Sequence, residues 1–507
     1  VAKTSLASTF GRVDQYAGFR FIQGEACASR FNDGCLLDPV TLEPLNTTCK
    51  QGVLSPHYVE LQEASDAQAV FKYARDNRGT TLSIKNTGSD YYTRSSLQGS
   101  LALWTRNLRN MSYHESFVPQ GCNCSSRSQP AFTFGSGVNA DDAYSFAHEH
   151  GKLFVGATVN TVGTVGGWLL NGGHGALSAS KGLGADRVLQ FTIVTPDGEV
   201  RVANRCQNED LFWALRGAGG GAFGVVIDST HPAEPEGPIT TVVLSFPATS
   251  ENQRPFVSVL AEHMREWALA GWSATSNANF SLLVSGSASA EEAEELLSPA
   301  IAYALSQDGG VANVVAYKSF FEFYVDNMNS TFATPAAISF GLATTTRLVP
   351  ESHFVDEAAR ELMVDAIMET TAAGVPTSFL ATSPLLYGRS HPNPGTPLHP
   401  AWYKSVWLVA SAAVWTATTP IAERREIVHR VQNATEKWKA LVPDGCAYVN
   451  EADPWDDDWA ESFWGDNYGK LLDIKAQVDP DGLLHCRHCV GWTTSLQGYG
   501  CMQDLAD

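Results

Sequence analysis

From Thr161 to Val188 the chain reads TVGTVGGWLLNGGHGALSASKGLGADRV, with glycines at 163, 166, 167, 172, 173, 175, 182 and 184. No long helix or strand tolerates glycine at that density, because each interior glycine weakens either element by roughly 0.5–1 kcal/mol. The stretch is therefore a run of tight turns whose backbone N–H groups a ligand can approach closely, and such nests hold phosphate oxygens. Two more loops share the character: SIKNTGSDYYTRSS at 83–96 and RGAGGGAFGVV at 216–226. Three glycine-centred loops in one chain favour a dinucleotide cradle over turn packing alone. None is a Gly-x-Gly-x-x-Gly following a first strand, which disfavours NAD.

The chain has 507 residues and a formal charge of −20. That length gives a soft prior of roughly three domains. The negative charge argues against nucleic acid or an anionic membrane as partner and leaves a small molecule, bound by a chain read as a monomer. Ten cysteines stand beside Asn-x-Ser/Thr sequons at Asn46, Asn110, Asn123, Asn279, Asn329 and Asn433. Disulfides and glycosylation both belong to the secretory route. With no basic, apolar leader at Val1 and no membrane-length apolar run, the expectation is a mature, soluble, secreted protein.

From Val53 the pattern alternates strand and helix: YVELQ extended, DAQAVFKYARDNRG helical with Asp66 as cap and Gly79 as stop, then TTLSIKNTG extended. A second strand–helix–strand unit is expected from AFTFGSGVN through DDAYSFAHEHG to LFVGATVNTVG. LQFTIVTPDGEVRVA reads as a hairpin about its Pro-Asp-Gly turn, and EDLFWALRGAGGGAFGVVIDST as helix, glycine break and strand. Near residue 238 the character changes to strands such as TTVVLSFP, NFSLLVSGS and WYKSVWLVASAAVW between amphipathic helices, an α+β layer with an antiparallel sheet.

The order of SIKNTGSDY, the long glycine stretch, NEDLFWALRGAGGGAFGVV and the terminal FWGDNYGKLLDIKAQVDPDGLLH resembles the berberine bridge enzyme-like branch of the vanillyl alcohol oxidase flavoproteins. The likeness covers residues 53–230 and 445–492 in order, while the segment between them matches only in its sheet-plus-helix pattern. It implies an α+β, two-domain fold: a discontinuous FAD-binding domain of residues 1–238 and 446–507, and a substrate-binding domain of residues 239–445. It also implies FAD contacts from Lys85, Asn86, Thr87, Gly88, Ser89, Asp90 and Ser95 in the first loop. The second loop would add Val159, Val162, Gly163, Gly166, Gly167, Gly172, Gly173, His174, Gly175, Gly184 and Asp186. Gly221, Gly224 and Val226 of the third loop complete the cradle, with Asn467 and Tyr468 near the flavin. Lys470 stands where the family more usually has arginine.

Family members commonly tether FAD twice, from a histidine in a Gly-His-Asp loop and a cysteine in a Cys-Pro-x-Val-Gly loop. Here those loops read Gly88-Ser89-Asp90 and Val159-Asn160-Thr161-Val162-Gly163. A serine hydroxyl needs an activating base and valine offers no nucleophile, which excludes a double tether at these positions. Two readings stay open: FAD held without covalent bonds, or a flavin-free descendant that binds a small molecule or templates a ring closure without redox change.

CAYVNEADP, from Cys446, resembles the family segment carrying the catalytic tyrosine, and the base position falls on Glu451. A carboxylate there takes a proton from a substrate hydroxyl as hydride leaves, provided burial raises its pKa. Tyr448 and Asn450, on the opposite face of an extended segment, line the site or support it. Val162 matches the position at which a small aliphatic residue admits dioxygen, which favours an oxidase over a dehydrogenase. His174 reads as packing or phosphate-side. HCRHC at 485–489 has CxxC spacing without a second pair, so disulfides are favoured over zinc, and Cys122 and Cys124 are read likewise. The run DPWDDDW lacks the EF-hand order of ligands, and no Gly-x-Ser-x-Gly marks a serine hydrolase. The aromatics from Trp267 through Trp415 would suit sugars, phenolics or polycyclic substrates.

Overall fold

The computed structural model describes residues 9–18, 41, 52–91, 94–122, 128–329, 340–392, 394–416, 418–493 and 505–506. Strands β1 (His57–Glu60), β2 (Leu82–Lys85) and β3 (Leu101–Trp104) form a small parallel sheet with β3 in the middle. The helix Ala64–Asp76 carries the chain from β1 to β2 and buries Ala67, Val70, Phe71 and Ala74, one face at helical spacing. It begins two residues before the expected Asp66. Glu63 is the N-cap, and the Asp66 carboxylate accepts from Gln62 N at 2.7 Å and Glu63 N at 3.0 Å, the third-residue half of a capping box.

Strands β4 (Met111–Phe117), β5 (Gln129–Gly135), β7 (Gln190–Val194), β8 (Val200–Asn204) and β9 (Val225–Pro232) form an antiparallel sheet in the order β4-β5-β9-β7-β8. The expected hairpin is β7–β8, with Gly198 N bonded to Thr195 O at 2.8 Å. The second strand–helix–strand unit is not formed. After the helix Ala140–Glu149, only Lys152–Leu153 is extended (β6), and it pairs with β10 (Glu234–Pro235) rather than joining β5. The glycines that follow turn LFVGATVNTVG into loop.

A seven-stranded antiparallel sheet takes all its strands from residues 239–416: β11 (Ile239–Ser245), β12 (Ser273–Asn277), β13 (Phe280–Ser285), β14 (Val311–Tyr317), β15 (Phe340–Pro350), β16 (Thr377–Leu380) and β17 (Ser405–Thr416), ordered β14-β11-β13-β12-β16-β17-β15. The helices Gln253–Leu269, Glu357–Ala372 and Ile421–Leu441 pack against it through Phe256, Leu260, Met363, Ile367 and Trp438. Trp267, Trp272 and Trp407 are fully buried in that core, and Trp415 lies in a neighbouring cluster, so these aromatics fill the layer rather than wait for substrate.

The C-terminal helix Tyr468–Val478 returns to the glycine loops. Its Lys475 is buried, and Nζ donates to Ala222 O at 2.7 Å, Asp479 Oδ2 at 2.6 Å and Leu484 O at 3.1 Å. The Asp479 carboxylate also accepts from Leu483 N at 2.9 Å and Leu484 N at 3.0 Å. Leu82 N and Leu483 O are 2.8 Å apart, joining the tail to β2. Lys475→Met leaves Asp479 buried beside no cation. It is expected to cost about 3 kcal/mol in denaturant unfolding, as loss of one partner of a buried pair does.

Candidate functional site

The first loop is shaped by its own side chains. The Asp90 carboxylate accepts from Ser95 N and Ser95 Oγ, both at 2.7 Å, and Gly88 supplies a φ of 71° for the turn. Asn86 is held on both sides: its carbonyl accepts from Trp104 Nε1 at 3.0 Å, and its Nδ2 donates to Ser136 O. Gly163 N donates to Thr87 Oγ1 at 3.3 Å, which docks the second loop on the first. Arg94 joins the third side. Its Nη1 donates to Asn171 Oδ1 at 3.0 Å and its Nε to Arg487 O at 3.2 Å, while Nη2 lies 3.2 Å from Cys489 Sγ.

Val449–Glu451 forms a single 3₁₀ turn, not the extended segment expected of CAYVNEADP. Successive residues of such a turn point about 120° apart. Tyr448, Asn450 and Glu451 can therefore all border one opening, where an extended segment would have sent alternate residues to opposite faces. Tyr448 N donates to Thr346 Oγ1 at 3.0 Å, and Asn450 Nδ2 donates to Ser89 O at 3.3 Å, so the turn is fastened to the wide sheet and to the first loop together.

These loops line an open cavity. Its wall includes Asn86, Thr87, Gly88, Ser89, Asp90, Ser95, Val159, Val162, Gly163, Gly166, Gly167, His174, Gly221, Gly224 and Val226, with Tyr448, Asn450 and Glu451. His174 lines the cavity, and its ring lies edge-on to Tyr448, 4.9 Å between centroids.

Eight residues expected at the cofactor stand outside this wall. Lys85 points away, its Nζ donating to Tyr16 O and, at 2.8 Å, to Gly18 O. Gly172 and Gly173 accept backbone bonds from Ala185 N and Gly184 N at 2.9 and 2.8 Å, a turn that backs Trp168. Gly175 packs on the Gly156 carbonyl and Gly184 on the Trp168 ring. The Asp186 carboxylate accepts from Leu183 N at 2.8 Å and Tyr403 O–H at 2.7 Å, and burial pushes its pKa up to about 6. Asn467 Nδ2 donates to Pro397 O at 3.1 Å, and Tyr468 stacks on Trp464. Lys470 pairs with Asp210 at 3.0 Å over the Trp213 ring.

The wall also holds residues that sequence reasoning passed over. Ile84, Tyr91, Arg94, Trp168, Leu170, Asn171 and Gly220 lie inside or beside the quoted loops, so their neighbours were the signal. Ala157 and Thr158 directly precede Val159, whereas Thr105 and Ser136 carry no motif and arrive through topology.

Glu451 is the electrostatic centre of the site. Burial alone raises its carboxyl from 4.5 to about 7, and the Tyr448 phenol beside it is pushed well above its ordinary value by burial and then by Glu451. Cys486 and Cys489 form a disulfide behind Gly220 and Gly221, and Cys122 pairs with Cys206. Cys124, Asn46 and Asn123 lie outside the described residues, as does the side chain of Asn329.

The wall suits a dinucleotide on two counts. Asn86 Oδ1, Ser89 Oγ and Ser136 Oγ are buried polar atoms with no hydrogen-bond partner in the protein, and all three residues face the cavity. A Cβ on Gly166 would run into Asn86 Nδ2, and at Gly221, with φ 74°, it would lie 2.8 Å from Cys486 Sγ. The backbone therefore forms the surface at these points, as close approach to a phosphate or ring requires.

Residues 55–204 match the FAD binding domain family, and residues 447–491 match the berberine and berberine-like family. The FAD-linked oxidoreductase cheF of Chaetomium globosum is 41% identical, the alignment covering 97% of this chain and 80% of that one. The FAD-linked oxidoreductase OXR2 of Pyricularia oryzae is 39% identical over 97% of this chain and 85% of its own. The crystal structure of the VAO-type flavoprotein MtVAO615 from Myceliophthora thermophila superposes with a TM-score of 0.83 at 28% identity, covering 96% of this chain and 87% of that one. The fold and the cavity define a vanillyl alcohol oxidase-type flavoprotein. The chain belongs to the berberine bridge enzyme-like FAD-linked oxidoreductases of that superfamily.

Two outcomes follow from the wall and its acid. Gly166→Ala is expected to displace Asn86 and sharply lower the flavin bound per protein after gel filtration. Gly167→Ala, whose Cβ meets nothing within 4 Å, should leave folding unchanged. The raised Glu451 pKa stabilises the fold fully below about 4.5, and that contribution is lost as pH climbs through about 7. Glu451→Gln should therefore gain stability over the wild type as pH rises, by on the order of 3 kcal/mol. Comparing the two melting temperatures at about pH 5 and about pH 8 tests this.

Proposed function

We propose that the protein is a secreted, glycosylated oxidase acting on an alcohol or related carbon centre of a small molecule, with FAD held non-covalently and dioxygen as final acceptor. The observation carrying this reading is the placement of Glu451, a buried carboxyl with a pKa near 7, on the wall of a glycine-lined cavity. FAD, when bound, supplies the hydride acceptor. Glu451 takes the substrate hydroxyl proton, and burial tunes it to do so near neutral pH. Asn450 holds the turn that presents Glu451 against the first loop.

Retention without a tether is supported by the side chains at the two anchor positions. Ser89 Oγ has no hydrogen-bond partner in the protein that could activate it, and Val159 has no nucleophile. Dioxygen as acceptor is supported by Val162 in the wall, and by a relative 32% identical over 89% of this chain, the VAO-type flavoprotein oxidase VAO615 of Thermothelomyces thermophilus. Two disulfides and exposed sequon residues Asn110 and Asn433 support secretion and glycosylation. Among the described residues no helix is long and apolar enough to cross a membrane. The protein is proposed to act as a monomer on a small-molecule substrate and dioxygen.

A redox-neutral reading draws on the same carboxyl. A group titrating near pH 7 donates a proton as readily as it accepts one, which suits a ring closure templated by the cavity without flavin.

Acid precipitation separates the two. Yellow protein that releases flavin to the supernatant supports the oxidase; colourless protein that takes up no added FAD supports the redox-neutral reading; flavin retained in the pellet contradicts non-covalent binding. Glu451→Gln should keep flavin yet slow its anaerobic reduction on the order of a hundredfold or more. Reduction at the wild-type rate would remove Glu451 from the chemistry.

A further inference from the structure

His174 sits in the cavity wall at the end marked by Tyr448, the residue that also neighbours Glu451. Its two ring nitrogens have different surroundings. Nδ1 lies 3.0 Å from Thr382 Oγ1, a buried hydroxyl just beyond β16 in the wide sheet. Nε2 has no protein partner among the described residues, and His174 lines the cavity.

The Thr382 hydroxyl is the basis for assigning which nitrogen carries the proton. Among the described residues that hydroxyl has no hydrogen-bond partner other than His174. If Nδ1 held the hydrogen, it would donate to Thr382 Oγ1 and strand the threonine proton in the interior, where an unmade bond is costly. With the hydroxyl donating to Nδ1 instead, both groups are satisfied, and the hydrogen of the neutral ring sits on Nε2. The ring is fixed elsewhere too: Trp168 Nε1 donates to the His174 carbonyl at 3.1 Å, and Trp402 and Tyr448 flank the imidazole. Burial pushes its pKa down to about 4, so it stays neutral over the range in which Glu451 titrates.

We propose that His174 is a second catalytic residue, whose Nε2–H donates a hydrogen bond to the substrate oxygen from which Glu451 removes the proton. This rests on the proton removal proposed above. As the O–H bond breaks and its proton passes to the Glu451 carboxylate, negative charge grows on that oxygen. A fixed neutral donor stabilises the charge without surrendering its own proton, as an oxyanion-hole group does. Thr382 is a positioning residue: it reaches across from the wide sheet and sets the tautomer. The inference narrows the substrate to molecules whose reacting carbon bears an oxygen.

The test reads the tautomer and the donor apart from turnover. Holoenzyme carrying ¹⁵N-histidine gives a long-range ¹⁵N–¹H spectrum in which His174→Phe assigns the resonance. The expected wild-type state is Nε2 protonated and Nδ1 bare. Thr382→Val should move hydrogen onto Nδ1, and Thr382→Ser should restore the original pattern. As an oxyanion probe, 4-nitrophenolate should bind the wild type at least about tenfold more tightly than His174→Phe, the range for a hydrogen bond to a charged group. A wild-type Nδ1–H tautomer, no effect of Thr382→Val, or 4-nitrophenolate that fails to bind or binds both proteins equally would each overturn the proposal. If Glu451→Gln leaves flavin reduction unchanged while tautomer and probe behave as expected, Glu451 falls as the base and the donor assignment of His174 stands.

Discussion

A buried ammonium organises this molecule. Lys475 meets the third glycine loop at Ala222, 253 residues away in sequence, together with its own helix end at Asp479 and the tail at Leu484. A charge taken out of water is tolerable only where it finds such a full set of acceptors. Because those acceptors include two backbone carbonyls, the lysine fixes main chain, and main chain is what the cavity is made of. Segment 483–489 is thereby held behind Gly220 and Gly221, where Cys489 meets Arg94.

The site is assembled by chain crossing rather than by any local unit. Two loops from the first half dock through Gly163 and Thr87, a third comes from the break after the helix Glu209–Ala218, and the acid arrives on a short turn near the C-terminus. The wide sheet adds Thr346 beneath Tyr448 and Thr382 beside His174. Each joint is one hydrogen bond of modest net worth, about 0.5–1.5 kcal/mol, yet together they hold main chain at ligand distance.

Legibility in the sequence followed the physics of each residue type. Glycine states its purpose directly, so the loops at 83–96, 161–188 and 216–226 could be read without coordinates. The hairpin turn at Thr195–Gly198 was legible for the same reason. Glu451 was found through resemblance, since nothing in its neighbours announces burial. Ser136 and Thr105 were invisible because topology alone carries them to the wall. Tryptophan was the opposite case: Trp267, Trp272 and Trp407 have the side chain a substrate platform needs and also the one a core needs, and the core took them. The turn at 449–451 was misread as extended because alternation over three residues cannot separate a strand from a 3₁₀ turn.

The bond from Asn450 to the carbonyl of Ser89 has a bearing on biosynthesis. The first loop is made early and the acid-bearing turn late, so an emerging polypeptide possesses a cradle long before it possesses an acid. Under the role proposed for Glu451, any product cut short by premature termination or proteolysis ahead of that turn would carry the cradle without its acid.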